Sequence, residues 1–461
     1  MPIMPVVSTL NANSAGIMNA IRDNASSSYY QSVPKVQDTT ESIRMAGEQI
    51  LGFQPHLNEF VNALVNRIGL VWVTSRRYQS TLKWAKKGQL ENGETVEEIF
   101  VNAAEGQPYN VDGDISEIYK LYSADVRSAF HTLNLQTVYP VSINENELRL
   151  AFLSRDGVVD LIARKVEALY SGLEYDEYIM TKYVLARLAL EGSIFSKKVD
   201  AITDEASAKQ NVQDIKGIIN KFQFFSTNYN VSGVNNHTTI NDLYIITTAD
   251  FDASNDVQVL ASAFNLDKVE FLGRRTMVDS FSFNANEIQR LEKLLKNDST
   301  YTPFSSDDLD ALATITAVAC DREFFQIWDN TPDKFTENYD GVHLKWNEFL
   351  HAWRTYSASP FANVVMFTTS DAPAVTAVTV NGPESATAES TVVYTSSISG
   401  SDFANRAVTW SIAEGAGAGG TVTIDQYGRV TIGADGEGAW TITATSVQTP
   451  TVSGTKTLTI S

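Results

Sequence analysis

The sequence predicts an α+β body followed by an all-β module, and three observations carry that reading. Up to residue 368, apolar residues at helical spacing alternate with short β-branched and aromatic runs. Residues 369–374 form a polar, proline-containing linker, after which the composition shifts to Thr, Ser, Ala, Val and Gly. Beyond the linker, short alternating runs are separated by turn residues roughly every eight to twelve positions, the spacing of a β-sandwich. A chain of 461 residues also exceeds what one hydrophobic core fills, so several domains are expected.

The first forty residues are rich in Ser, Asn and Gln and read as an arm holding one short helix near residues 14–24. Over 41–68, Ile50, Phe53, Leu57, Phe60, Val61 and Leu64 recur at three- and four-residue spacing, the stripe of an amphipathic helix. Residues 69–143 read as a long excursive β-hairpin. Val71 and Val73 alternate with Trp72 and Thr74, Gly88, Asn92 and Gly93 mark turns, and "FHTLNLQTVYPVSI" (130–143) returns as a partner strand.

Asn144 with Glu147 resembles a capping box. The helix it opens carries Leu148, Phe152, Val158, Leu161, Ile162, Val166 and Leu169 on one face, with a kink expected at Gly157. A second helix is expected over about 175–190, burying Ile179, Tyr183, Leu185 and Leu188. Residues 200–295 read as α/β. "DLYIITTAD" (242–250) is a buried strand, Ser254-Asn255-Asp256 offers N-caps for a helix, and "VEFLGRRTMVDSF" (269–281) returns as a strand. Residues 311–330 and 343–368 carry further aromatic-rich strands. In the module, Tyr394 and Trp410 are candidate core residues, and "TIDQYGRVTIGADGEG" (423–438) reads as strand, tight turn, strand and acidic turn.

The chain carries 55 acids and 35 bases, a formal charge of −20. Nucleic-acid binding needs a basic patch that displaces counterions, so this balance argues against sequence-specific DNA binding. No apolar stretch approaches the ~20 residues of a membrane span, and the N-terminus lacks the pattern of a secretory signal. Cys320, the single cysteine, sits in an apolar run and reads as a buried, inert thiol.

Within this acidic chain, residues 75–90 hold Arg76, Arg77, Lys83, Lys86 and Lys87 and no acid. They are the candidate site. One reading is an exposed strand pair with weak cross-strand ion pairs. The other is an arm whose basic segment contacts the acidic surface of an identical neighbour.

The remaining motifs carry little chemistry. "GAGAGG" (415–420) matches a dinucleotide fingerprint but lies between strands, with no helix to receive a pyrophosphate. His343, Glu348 and His351 include a Glu-x-x-His, without the second such pair and facing glutamates that a carboxylate-bridged metal site needs. "NVDGDISE" (110–117) lacks EF-hand spacing, and "SSDDLD" (305–310) reads as N-cap chemistry. There is no nucleophile elbow, P-loop or Cys-His metal motif among these residues. No catalytic residue, cofactor or metal is assigned, and the chain reads as a non-enzyme.

Several segments in the same order resemble the major capsid proteins of small short-tailed phages of the phi-29 group. They are "FVNALVNRIGLV" (60–71), "LKWAKKGQ" (82–89), "GETVEEIF" (93–100), "LASAFNLDKVEFLGRRTMVDSF" (260–281) and "HAWRTYSASPFANVVMF" (351–367). The residues after the linker resemble a group-2 bacterial immunoglobulin-like domain. The resemblance implies the tailed-phage, Hong Kong 97-type capsid fold over residues 1–368. Within it fall an N-terminal arm (1–58), an extended loop (69–143), a spine-helix peripheral region (144–199), an axial domain (200–340) and a return to the peripheral domain (341–368). The immunoglobulin-like domain then covers 372–461. It also implies a homo-oligomer of pentamers and hexamers in a virion shell, assembled in the host cytoplasm with scaffolding protein and portal. Such a shell encloses double-stranded DNA without sequence-specific binding or a membrane. The alternative is a cell-surface or secreted binding protein with a C-terminal immunoglobulin-like module. A third reading, a carbohydrate-active enzyme, needs a paired carboxylate that the sequence does not single out.

Overall fold

The computed structural model describes residues 14–70, 78–90, 95–104, 126–153, 157–260, 274–370, 374–401, 403–425 and 427–461. Helices α1 (Ser14–Asp23), α2 (Ser27–Ser32), α3 (Thr40–Leu51) and α4 (Gln54–Leu70) come first. Strands β1 (Lys86–Gln89), β2 (Val96–Val101), β3 (Val126–His131) and β4 (Leu135–Asn144) follow. Then come helices α5 (Glu145–Ala151) and α6 (Gly157–Leu190), strand β5 (Phe195–Lys198), helix α7 (Glu205–Lys221), strand β6 (Leu243–Thr248) and helix α8 (Ala249–Leu260). Strand β7 (Arg274–Val278) and helices α9 (Ala285–Leu294) and α10 (Ser306–Ala313) lead to β8 (Ile315–Asp321), β9 (Phe325–Asp329), β10 (Lys334–Asp340), β11 (Lys345–Ala358) and β12 (Val364–Thr368). The chain divides into two compact units. One comprises Met1–Ser80, Leu135–Tyr178 and Asp329–Arg354, the other Thr81–Asn134, Ile179–Trp328 and Thr355–Ser461.

In the first unit, α1–α5 close on one apolar cluster that buries Ile17, Met18, Ile43, Ile50, Phe60 and Phe152. The stretch that reads as a polar arm thus forms two helices with buried faces. Two of its polar side chains are used on backbone. The Asn19 amide donates to Val36 O at 2.7 Å and accepts from Val36 N at 2.8 Å, and Arg22 Nε donates to Val33 O at 2.7 Å. The predicted 41–68 helix is two, broken at Gly52 and Phe53. Pro55 sits in the first turn of α4, where no backbone donor is missed. Phe53, expected on the stripe, is exposed, whereas Leu57, Phe60 and Val61 are buried.

Strands β10, β11 and β4 run antiparallel, with β11 central. Among the described residues, β4 pairs with β11. Of the strand predicted to pair with it, Gly69 and Leu70 end α4, and Val71 to Thr74 lie outside the described residues. Helix α6 lays Leu169 and Leu173 on Leu350 and Ala352 of β11. One 34-residue helix replaces the two expected. Gly172 costs about 1 kcal/mol of helix propensity, and the burial of Leu169 and Leu173 on either side offsets that. The break lies earlier, at Gly157, the first residue of α6. A Cβ there would stand 2.3 Å from Ala151 O. Asn144 caps α5 by backbone position but makes no side-chain cap bond. Arg354, only 3% exposed, binds three carboxylates. Its Nε lies 3.0 Å from Glu177 and 2.7 Å from Asp329, and an Nη lies 2.7 Å from Asp333.

The second unit is built on a five-stranded sheet of order β5-β12-β8-β6-β7. The end pairs are parallel and the inner ones antiparallel. One face packs Ile245, Ala319 and Val365 against Ile215 and Ile219 of α7. On the other, Trp84 stacks on Tyr244 at 3.8 Å between ring centroids. Burial on both faces explains the uninterrupted apolar runs of β6, β8 and β12. Cys320 lies in the middle, opposite Tyr244 and Val364. It is fully buried, and burial pushes its thiol pKa up. Helix α8 starts at Ala249, ahead of the predicted Ser254 cap, with Asp250 and Asp252 in its first turn to complement the N-terminal dipole. Ser305 caps α10 in a box with Asp308, as "SSDDLD" suggests.

The C-terminal residues of this unit form β13 (Val375–Asn381), β14 (Ser385–Ala386), β15 (Thr391–Val393), β16 (Thr395–Gly400), β17 (Val408–Glu414), β18 (Val422–Ile424), β19 (Arg429–Ile432), β20 (Gly438–Ser446) and β21 (Ser453–Ile460). They pair as β13-β16, β14-β21-β20-β17 and β15-β19-β18 and share one apolar cluster. Tyr394 is fully buried and donates its hydroxyl to Pro383 O at 2.6 Å. Trp410 packs on the cluster's edge, while Trp440, not singled out from the sequence, is buried within it.

A buried charge fixes α6 to α9. Lys182 is 1% exposed, and its Nζ lies 3.0 Å from Glu287 Oε1, 3.0 Å from Ser282 O and 3.4 Å from Asp279. Glu287 in turn closes the capping box with Asn284 at the start of α9. Removing one member of such a pair strands the other charge, at a cost of about 3–5 kcal/mol, whereas replacing both by apolar residues costs far less. Lys182→Ala is expected to lower the denaturation midpoint sharply, and Lys182→Met with Glu287→Leu to recover most of it. Equal losses in single and double variants would refute this account.

Candidate functional site

The basic block is split by the structure. Arg76 and Arg77 lie outside the described residues. Lys83 opens a 3-10 turn, Lys83–Ala85, and is exposed, while Lys86 and Lys87 begin β1. Trp84 anchors the turn through its stack on Tyr244. Lys87 is held within its own unit. Its Nζ donates to Glu323 Oε2 at 2.8 Å and to Arg322 O at 2.7 Å, and its side chain is 11% exposed.

Strands β2 and β3 form a two-stranded ribbon in register Val96↔His131 to Val101↔Val126. Alternation gives it two unlike faces. The inner face is docked. Glu98 Oε1 accepts from Ser359 Oγ at 2.7 Å, and Glu98 Oε2 lies 3.1 Å from His131 Nε2. The other His131 nitrogen is 2.8 Å from Ser357 Oγ, and Phe100 stacks on Phe361 at 5.6 Å. The outer face presents Ile99, Val101, Val126 and Phe130, each more than half exposed and Phe130 at 64%. Four large apolar side chains on one open face are unusual for a monomer surface. The sequence signal was present in the alternation of VEEIFV and VRSAFH. Which face would be covered was not, because the docking residues Ser357, Ser359 and Phe361 lie far along the chain.

The residues considered for metal binding are kept apart. Glu348 and His351 fall on β11, where a three-residue spacing sends side chains to opposite faces. The Glu-x-x-His metal geometry needs a helix, so the motif is not assembled here. His343 pairs with Asp340 at 2.7 Å, and that contact holds the aspartate below its ordinary pKa. His351 lies 2.9 Å from Thr336 Oγ1. The 415–420 glycines run from β17 toward β18, with Gly417 and Gly420 in left-handed conformations. The acidic 110–117 segment lies outside the described residues.

Glu348 is the chemically unusual group. It is fully buried, and neither carboxyl oxygen has a hydrogen-bond partner. It stands across from Glu337 of β10 and Val141 of β4. Burial, reinforced by Glu337 and opposed by Lys165, pushes its pKa from 4.5 to about 7. A carboxyl whose folded pKa is raised holds a proton that the unfolded chain releases. Its contribution to stability is therefore complete below about pH 4.5 and lost as pH rises to about 7, by about 3 kcal/mol in all. Glu348→Gln, which stays neutral, is expected to unfold at higher temperature than the parent at pH 7.5 and at nearly the same temperature at pH 4.5. A difference between the two proteins that does not grow with pH would contradict this.

The pattern of the Phi29-like phage major capsid protein family matches residues 18–368. The major capsid protein of Bacillus phage B103 is 30% identical over 434 residues, spanning 93% of this chain and 89% of the relative. That of Bacillus phage PZA is 29% identical over the same shares. Among solved structures, the capsid of Staphylococcus phage Andhra aligns over 65% of this chain and 86% of that one, at 15% identity and a TM-score of 0.49. A family match across the whole α+β body, with relatives aligned over most of both chains, establishes that this chain belongs to the Phi29-like phage major capsid protein family.

Proposed function

We propose that this phage major capsid protein has the Hong Kong 97-type capsid fold and forms pentamers and hexamers of one shell. The outer face of the β2–β3 ribbon is proposed to lie on a neighbouring copy. The observation that carries this reading is that face itself. Ile99, Val101, Val126 and Phe130 point to solvent from a ribbon whose other face is docked through Glu98 and His131. Shell subunits need many moderate contacts, since each association first offsets about 4–15 kcal/mol of lost freedom. An apolar ribbon supplies contact area, and nearby bases supply register and on-rate.

The basic block of Arg76, Arg77, Lys83, Lys86 and Lys87 is proposed to face the neighbour, and Lys87 also fastens β1 to its own chain. The arm, extended loop, peripheral and axial regions follow the boundaries that the resemblance implies. The β-module at 372–461 is proposed to be immunoglobulin-like. Scaffolding protein and portal take part in assembly in the host cytoplasm. The net charge of −20 suits a shell that encloses double-stranded DNA without adhering to it.

Electron microscopy of the purified protein, with and without co-expressed scaffolding protein, tests the reading. Ile99→Ser with Phe130→Ser should leave the subunit folded, because both side chains are exposed, and should sharply reduce shell yield. Lys83→Glu with Lys86→Glu should slow assembly, and parent assembly should weaken with salt as the Debye length falls below about 8 Å. Normal shells at normal yield from both variants would overturn the proposed contact.

A further inference from the structure

Among the described residues, the β-module meets the rest of its unit at the end of α6 and at the ribbon, and together these contacts suggest what it does for the ribbon. The first is a clip. Helix α6 ends at Leu190, and Gly192 follows in a left-handed conformation, φ 73°. Its carbonyl accepts from Arg406 N at 3.0 Å. Ser196 Oγ donates to Phe403 O at 3.2 Å, and Gln448 Nε2 reaches Ser196 Oγ at 3.4 Å. The fit is close, since a Cβ on Gly192 would stand 2.2 Å from Ala404 O. Phe403, itself left-handed at φ 59°, is 2% exposed. A short loop of the module thus sits just past the end of α6, held by one main-chain bond and two side-chain bonds, with no room for a side chain at Gly192.

The second attachment is at the turn between β18 and β19. Asp425 Oδ1 accepts from the backbone N–H of Tyr427 and of Arg429, both at 2.9 Å, which sets the turn and places Tyr427 at its tip. The Arg127 guanidinium carbon lies 3.0 Å from the centroid of the Tyr427 ring. Arg127 belongs to β3, on the docked face of the ribbon, is 9% exposed, and also donates to Ser232 O at 3.2 Å. A guanidinium over an aromatic face is attracted by the ring quadrupole, more strongly when water is excluded.

The ribbon needs such support. A two-stranded hairpin is marginally stable alone, and among the described residues β2 and β3 pair only with each other. Half of its docked face is polar, through Glu98, Arg127 and His131, so the ribbon is held by hydrogen bonds and ion pairs as well as by the Phe100–Phe361 stack.

We propose that the C-terminal β-module is an intramolecular brace for the β2–β3 ribbon, clipped to the end of α6 at Gly192 and closed on Arg127 by Tyr427. Movement of the ribbon is then coupled to opening of this catch. The proposal concerns contacts within one chain and stands whether or not the ribbon's outer face meets a neighbour.

Amide hydrogen exchange on the full unassembled chain is the test. Tyr427→Ala should raise exchange in 96–101 and 126–131 by at least about tenfold, while Tyr427→Phe, which keeps the ring, should stay within about twofold of the parent. Strands β20 and β21 report whether the module itself remains folded. Arg127→Ala should raise exchange at 427–432 and leave β20 and β21 unchanged. Unchanged ribbon exchange in Tyr427→Ala overturns the proposal. If Tyr427→Ala loosens β20 and β21 as well, Arg127→Ala decides. Faster exchange at 427–432 with an intact module supports the brace, and parent-like exchange there overturns it.

Discussion

Helix α6 imposes the constraint on which most of this structure depends. Thirty-four residues of continuous helix must bury apolar surface along their length, and the partners change along the way. In the first unit the helix is covered by β11, through Leu169, Leu173, Leu350 and Ala352, with Glu177 held by the buried Arg354. In the second, Lys182 fixes it to Glu287 at the start of α9. Each unit thus carries its own buried ion-paired cation at this helix, and breaking either pair would strand a buried charge. The end of the same helix, at Gly192, seats the C-terminal module.

Much of the architecture was legible in local pattern. The buried strands β6, β8 and β12 and the box at Ser305 each rest on a few neighbouring residues and appear where local chemistry puts them. What was misread depended on distant partners. The arm looked polar because Asn19 and Arg22 are polar, yet both are consumed by backbone groups near Val33 and Val36. The expected gap between a helix carrying Leu169 and one starting near residue 175 is closed, because burial of Leu169 and Leu173 on β11 carries α6 through it. The pairing of β4 with β11, some two hundred positions away, leaves no local signal to read.

The candidate site was legible in part. Charge segregation drew attention to residues 75–90, and β1 and its preceding turn do lie there. Charge alone could not separate Lys83, which is exposed, from Lys87, whose side chain is enclosed beside Glu323. The ribbon's apolar face escaped notice because alternating strands look alike from either side until one side is covered. The same limit hid Glu348. A glutamate in a strand usually faces water, and only the packed sheet reveals one enclosed without a partner.

Cys320 carries a consequence of a different kind. Its sulfur sits in the middle strand of the five-stranded sheet, fully enclosed, with its ionisation suppressed by burial. Thiolate is the reactive species, so oxidants and alkylating reagents have almost nothing to attack while the sheet is closed. The subunit is therefore indifferent to the redox potential around it, needing no reductant to stay folded and gaining no cross-link when oxidised. Any modification that does occur records an opening of the sheet. The chain's single cysteine is in effect a built-in clock for the rarest motion of its core.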